Sequence, residues 1–367
     1  LRNSQVTLLI VALLIASIGI LSIYSSTYRK EGTAWKMAFK RQIIWVILGV
    51  FIFLTVSNIN YRRILDATHF LYGLTVFLLL LVFIIGVVRL GAQRWLKFFW
   101  INFQPSELAK LTLLIFLAKY FSYKSINDIS LNVKTFGVVR SLLLPLLFVS
   151  IPVGLIVEQP DLGSAIMVFS VFIIMLFISG ARLKYIFSFL SLILLSLPFL
   201  WHFLRDYQKE RLLVFLNPNI DPLGAGYTVI QSKIAIGSGG ILGKGWLSGT
   251  QSQLHFLPEA HTDFIFATFA EEWGAFGAIV LLLLYFLLIR QGIAIGMRTN
   301  DYFGRLLAIG ISTLLCLQIF TNIAMNLGLA PVVGLPLPLM SYGGSSLFVT
   351  FVCLGILANI DRTRAVF

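Results

Sequence analysis

The sequence predicts an all-α integral membrane protein of ten transmembrane helices, with one long extracellular loop between helices seven and eight. Of the 367 residues, 58% are apolar and only 12% charged, about half the charge of a soluble domain, and mean hydropathy is +0.92. Apolar runs near the roughly 17–25 residues that cross a bilayer recur at 6–26, 42–57, 69–88, 107–122, 141–157, 163–179, 185–204, 263–289, 303–326 and 345–360.

The first run reads as a retained helix, because its core is too long for a signal peptide and Tyr24-Ser25-Ser26-Thr27 offers no small-x-small cleavage pattern. An even number of spans puts both termini on one side. The terminal segments and even-numbered loops hold fourteen Lys and Arg against eight in the short odd-numbered loops, which predicts cytoplasmic termini. Only the first loop, with Arg29, Lys30, Lys36, Lys40 and Arg41, runs against this. The 58 residues 205–262 form the large extracellular loop, with Asn217-Pro218-Asn219 and a glycine cluster from Gly237 to Gly245. Loops longer than about 15 residues are functional or disordered. Tyr227, Ile230, Ile234, Trp246 and Phe256 argue for order, with a short amphipathic helix expected over 225–236 on the membrane surface. No internal repeat is visible, and residues 1–367 read as a single polytopic domain.

Net charge is +13, but the cations are scattered between apolar runs, which argues against nucleic-acid binding and for anionic, phosphate-bearing ligands. Cys316 and Cys353 each lie inside an apolar run, leaving no disulfide framework and no CxxC pair. Walker, HExxH and GxSxG patterns are absent, so nucleotide hydrolysis, zinc proteolysis and serine hydrolysis are unsupported.

Ionisable residues at membrane depth are costly and hence functional by default. Four regions qualify. In Gln104-Pro105-Ser106-Glu107-Leu108-Ala109-Lys110 a proline and a glutamate open a helix, and Glu107 and Lys110 share a face; they read either as an interfacial cap and ion pair or as a phosphate-facing lysine held by a glutamate. Glu158-Gln159-Pro160-Asp161-Leu162-Gly163 is a hairpin tip whose Asp161 either caps the next helix or points into an outer cavity. Leu257 to Phe266 carries His261, Thr262 and Asp263, with Thr262 the expected cap of a helix starting at residue 263 and Glu271 and Glu272 deeper in it. Gly334 to Ser346 is a proline- and glycine-rich run without charge that includes Ser341, suited to a re-entrant segment. All four face outward on the ten-span topology, where the long loop adds Arg211, Lys233 and Lys244. Carboxylates and cations in a membrane setting suit a substrate with a phosphate head and a lipid tail.

At these residues the chain resembles the SEDS family, the shape, elongation, division and sporulation proteins. The resemblance covers essentially the whole chain and rests on Gly91-Ala92-Gln93-Arg94-Trp95, Phe103 to Lys110, Glu158 to Ala165, Gly243-Lys244-Gly245, Gly249-Thr250-Gln251-Ser252-Gln253, His261 to Ala267 and Pro336 to Ser346. Gly-Thr-Gln-Ser-Gln and Gly-Leu-Pro-Leu-Pro look like the family's elongation branch more than its division branch. The resemblance implies a glycosyltransferase that polymerises lipid II on the outer face of the bacterial cytoplasmic (inner) membrane. It maps the family's essential aspartate onto Asp263 and its ion pair onto Glu107 and Lys110. It also implies a class B penicillin-binding protein as partner, among other elongation-complex proteins, in contact with membrane lipids. The transfer inverts an anomeric carbon, so it needs a base on the acceptor hydroxyl and charge stabilisation on the leaving pyrophosphate. Asp263 could be that base or could hold a divalent cation, Mg²⁺ or Mn²⁺, against the pyrophosphate. Lys110, Arg94, Arg211 and Lys233 are the expected phosphate contacts, and Asp161 and Ser341 further substrate contacts. A lipid II flippase or a non-catalytic scaffold of the elongation complex are the alternatives from other classes.

Overall fold

The computed structural model describes residues 3–29, 37–89, 92–98, 101–127, 142–181, 183–224 and 226–363. Each of the ten apolar runs coincides with a helix. Seven come first: α1 (Asn3–Thr27), α2 (Ala38–Asn58), α3 (Arg62–Ile85), α4 (Pro105–Asn127), α5 (Leu144–Glu158), α6 (Leu162–Ile178) and α7 (Leu183–Phe203). The long loop holds α8 (Asp206–Leu216), a 3₁₀ turn (Pro218–Ile220), α9 (Tyr227–Gly239) and α10 (Thr250–Gln253), and α11 (Ile265–Arg298), α12 (Tyr302–Asn326) and α13 (Gly344–Thr363) follow. Among the described residues, α1, α2, α3, α11, α12 and α13 are long and apolar enough to cross a membrane, and α5, α6 and Leu183–Ser196 of α7 are shorter apolar helices. The chain is a multi-pass, helical membrane protein. The count of ten crossings depends on α4 to α7, of which α4 carries Glu107, Lys110, Lys119 and Lys124.

The helix expected over 225–236 is α9, which buries Val229, Ser232, Ala235 and Gly239 along one side. Reading the chain as purely helical missed a small antiparallel meander, β1 (Val87–Arg89), β2 (Ala92–Phe98) and β3 (Ile101–Phe103). Strands this short leave little alternation to read between two long apolar runs. The meander is tied to the end of α3, where Gln93 Nε2 donates to the carbonyls of Val82 and Gly86, both at 3.0 Å.

The chain divides into two compact units. One comprises Leu1–Ile52, Leu204–Arg290 and Leu315–Phe351, the other Phe53–Phe203, Gln291–Leu314 and Val352–Phe367. In the second unit, buried polar groups find partners across helices. Gln159 Nε2 donates to Leu79 O at 2.8 Å, Thr75 Oγ1 meets Thr112 Oγ1 at 3.0 Å, and Tyr72 donates to Phe148 O at 2.8 Å. Just before α3, the Tyr61 hydroxyl donates to Asp301 at 2.9 Å and its amide to Asn359 Oδ1 at 2.9 Å. Burial, then the Asp301 carboxylate, pushes the Tyr61 phenol up to about 12.

The first unit contains a broken helix. Within α11, Gly274 takes φ 64° and ψ −166°, a conformation open essentially to glycine alone. The glycine cluster of the long loop fills the break. Lys244 and Gly245 amides donate to Glu271 and Glu272 carbonyls at 3.0 Å each, and Ala275 and Phe276 amides donate to Gly240 and Ile241 carbonyls at 2.9 and 3.0 Å. Four backbone bonds thus replace those the helix loses, and contact is so close that side chains are excluded. A Cβ on Gly243 would lie 2.1 Å from Glu272 O, and one on Gly274 2.3 Å from Gly243 N. A Cβ on Gly240 would meet nothing within 4 Å, although its φ is 55°.

Two substitutions therefore separate strain from collision. Gly240→Ala should cost only the backbone penalty, about 1–3 kcal/mol, whereas Gly243→Ala adds a backbone clash and should lower the thermal midpoint in detergent considerably further. Equal midpoints for the two variants would contradict the splice.

Candidate active site

Asp263 lies in a turn, not in the helix. Thr262 was expected to cap a helix beginning at residue 263; instead α11 begins at Ile265, and Thr262 Oγ1 donates back to Glu259 Oε2 at 3.0 Å. Glu259, at φ 49°, reverses the chain, and its carbonyl accepts from the amides of Thr262 and Phe264. Beneath the turn, Leu257, Ala260, Phe264 and Ala267 pack with Ala235 in a dry cluster. Asp263 itself is half-buried.

Two buried asparagines one turn apart on α12 hold this turn. Asn322 Nδ2 donates to Asp263 O at 3.0 Å and to Leu335 O at 2.7 Å. Asn326 Nδ2 donates to Asp263 O at 3.0 Å, while its Oδ1 accepts from the Ala267 amide at 3.2 Å. Neither residue is ionisable, so the cost of burying charge at membrane depth does not point to them. The signal was present: Gln318, Asn322 and Asn326 recur every four residues in an otherwise apolar run, which puts three amides on one helix face.

That face, together with α11 and α2, secures the proline-rich run. Gln318 Nε2 donates to Pro336 O at 3.1 Å, Tyr285 to Pro338 O at 2.7 Å and Gln42 Nε2 to Ser341 O at 3.2 Å. Leu335, Leu337, Leu339 and Met340 are buried, as expected of non-helical backbone inside a membrane protein. Ser341, read as a substrate contact, is engaged internally: its hydroxyl donates to Thr262 O at 2.6 Å and accepts from the Leu337 amide at 2.8 Å. At the start of the run Gly334 has φ 70°, which favours glycine, and it lies beside Asp263: a Cβ there would be in ordinary contact with Asp263 Oδ2 at 3.6 Å.

The deeper carboxylates are held within the unit. Glu271 accepts from Lys244 Nζ at 2.8 Å, Thr250 Oγ1 at 3.0 Å and the Gln251 amide at 3.1 Å, and Glu272 accepts from the Ser25 hydroxyl. Arg211 and Lys233 are exposed. Arg211 donates to Val332 O at 3.1 Å beside a crevice lined by Val214, Phe215 and Val229. Lys233 crosses Gly328, where a Cβ would lie 2.1 Å from its Cε.

The other sequence-predicted residues fall in the second unit. Lys110 Nζ lies 2.7 Å from Glu107 Oε1 with both side chains buried, so the lysine expected to face phosphate is enclosed by protein. Asp161 is 2% exposed and caps α6. Its carboxylate accepts from the Ser164 amide at 3.2 Å, Gln104 Nε2 at 3.0 Å and Ser106 Oγ at 3.1 Å, with Arg94 Nη1 3.9 Å away. Of the two readings of Asp161, this geometry is the cap.

Among the described residues no three His, Cys, Asp or Glu side chains gather into a group that could hold a metal ion. Asp263 supplies one carboxylate. That donor set fits a cation ligated mainly by the phosphate oxygens of a bound substrate, the usual Mg²⁺ arrangement, rather than an ion held by protein alone.

Residues 5–366 match the cell cycle protein family of FtsW, RodA and SpoVE. The chain belongs to this family. Relatives within it include the peptidoglycan glycosyltransferase MrdB of Escherichia coli K12, 42% identical with 98% of this chain and 93% of that protein covered. In structure the chain is similar to a protein from a peptidoglycan synthase complex that coordinates polymerization and crosslinking, with TM-score 0.80, 34% identity and 97% of each chain covered. It is also similar to the rod shape determining protein RodA of Thermus thermophilus, with TM-score 0.70, 29% identity and 97% and 96% of the two chains covered.

The buried ion pair generates a stability test. Removing one partner strands a charge and costs about 3–5 kcal/mol, whereas replacing both by groups of similar size can be neutral. Glu107→Gln and Lys110→Met should each lower the unfolding midpoint in detergent, and the double variant should recover most of the loss. Additive losses would show that the two side chains are not each other's main partner.

Proposed function

We propose that this protein is a peptidoglycan glycosyltransferase that polymerises lipid II into β-1,4 glycan strands on the outer face of the bacterial cytoplasmic membrane during cell elongation. The observation that carries this reading is Asp263, a half-buried carboxylate in the turn just before a helix long and apolar enough to cross a membrane, whose backbone carbonyl is fixed by two buried amides. A carboxylate so placed serves acid–base or charge-stabilising chemistry rather than packing. The family relatives named as peptidoglycan glycosyltransferases support the reading.

In the reaction, the 4-hydroxyl of one saccharide attacks the anomeric carbon of another from the face opposite its pyrophosphate. The new C–O bond forms as the old one breaks, the bonding pair leaves on undecaprenyl pyrophosphate, and the hydroxyl proton must go to a base. Asp263 is positioned to accept it or, with a divalent cation bound, to help hold that cation, whose chemistry would be to neutralise charge on the leaving group. The exposed Arg211 and Lys233 are the proposed phosphate contacts in the same unit. Both termini are placed on the cytoplasmic side by the distribution of Lys and Arg, over ten crossings. We propose a class B penicillin-binding protein as partner, a reading supported by the similar structure that comes from a synthase complex.

Asp263→Ala should leave the fold intact and abolish glycan formation from lipid II by purified protein with its partner. Substantial polymer from the folded variant would sink the assignment. Asp263→Asn separates the two roles. It loses the charge but keeps one oxygen, so a metal-holding aspartate predicts partial rescue at high Mg²⁺ or Mn²⁺, while a base predicts none and a wild-type rate that falls as the carboxylate protonates at low pH. Polymerisation rate against metal concentration, for wild type and Asp263→Asn, is the measurement; full wild-type activity in excess chelator would eliminate the metal role.

A further inference from the structure

We infer that Asn322 and Asn326 are positioning residues for Asp263: together they hold the first turn of α11 open and so set where that carboxylate stands. The inference rests on the reading of Asp263 as the reactive carboxylate.

In an uninterrupted helix the amide of residue 267 would donate to the carbonyl of residue 263, the ordinary i to i−4 bond. Here the Asn326 side chain stands between those two groups. Its Oδ1 takes the Ala267 amide at 3.2 Å and its Nδ2 serves the Asp263 carbonyl at 3.0 Å. Asn326 thus gives the Asp263 carbonyl a donor in place of the helical one, while the Ala267 amide is shared between Asn326 Oδ1 and the Phe264 carbonyl at 3.1 Å, which frees Asp263 from helical geometry without leaving its buried carbonyl unmet. This explains why the helix starts two residues later than the sequence pattern predicts.

Asn322 adds the second coordinate. Its Nδ2 bridges the Asp263 and Leu335 carbonyls at 3.0 and 2.7 Å, so the turn bearing the carboxylate and the run containing Gly334 are pinned to one atom. The pair is also internally braced, since Asn326 Nδ2 donates to Asn322 O at 2.8 Å and to Asn322 Oδ1 at 3.3 Å. Both asparagines are 0% exposed, so they have no access to substrate and act only through what they hold. A displacement of about 1 Å in a catalytic group can cost on the order of 100-fold in rate, the scale expected if the bridge is removed.

The experiment measures lipid II binding and single-turnover polymerisation per folded molecule for Asn322→Ala, Asn326→Ala and Asn326→Asp, beside Asp263→Ala itself. Asn326→Asp preserves volume and the acceptor for Ala267 but removes the donor to Asp263, so it carries the test if an alanine variant does not fold. Ser232→Ala is the control for local destabilisation: its hydroxyl donates to Asn326 O at 2.7 Å from α9 and is bonded to no group of Asp263. Turnover should fall about 100-fold or more in the asparagine variants, with lipid II affinity within about threefold of wild type and Ser232→Ala near wild type. Turnover near wild type in Asn326→Asp, or affinity falling as far as turnover, would overturn the positioning role. If Asp263→Ala itself keeps wild-type turnover, it is the reading of Asp263 that fails, and the asparagine variants are then scored against that result as purely structural.

Discussion

A backbone amide or carbonyl buried at membrane depth has no water to turn to, and this constraint governs every irregular feature of the first unit. The chain leaves helical geometry there at the turn before α11, at Gly274 and along Gly334 to Ser341. In each place the orphaned groups are met from elsewhere in the same unit. The solutions differ in kind: side-chain amides serve the turn and the proline-rich run, whereas a strand of glycine-rich backbone serves the helix break.

The choice between these solutions follows from how closely the partners must approach. At Gly274 two backbones touch, so any side chain on Gly239, Gly243 or Gly274 would collide with a carbonyl or amide. At the proline-rich run the partners are side chains of two helices, Gln318 and Asn322 of α12 and Tyr285 of α11, which reach the run's carbonyls. Irregular backbone held this way is stiff, because moving it would leave buried polar groups unpaired at about 1–3 kcal/mol each. Stiffness is what a reactive carboxylate requires of its surroundings.

The second unit satisfies the same constraint with charge. Asp161 gathers donors from Gln104 just after the meander, from the start of α4 and from α6, and Glu107 neutralises Lys110 beside it on one helix face. Clusters of this kind tolerate the loss of one member poorly, since the survivors remain buried. A requirement for Glu107 or Lys110 in activity has therefore to be read against folded yield.

Much of this was legible in the sequence. Length and hydropathy located ten helices, because an apolar run of that size has no other stable state in a bilayer. The motifs identified the carboxylates and cations, and the long loop's aromatic residues correctly argued for order. What the sequence left open was how each polar side chain is engaged: Asp161 and Ser341 looked available for substrate and are engaged internally, the helix start at Asp263 was misplaced by two residues, and Asn322 and Asn326 passed as unremarkable neutral residues. The physical reason is the same in each case. Hydropathy is a property of one segment at a time, so the sequence by itself determined which segments are apolar enough to enter a membrane and which residue types they carry; the hydrogen bond from Asn326 to the Asp263 carbonyl joins segments some sixty positions apart, and only the tertiary structure decided which backbone groups would lack a local partner and which distant amide would supply it.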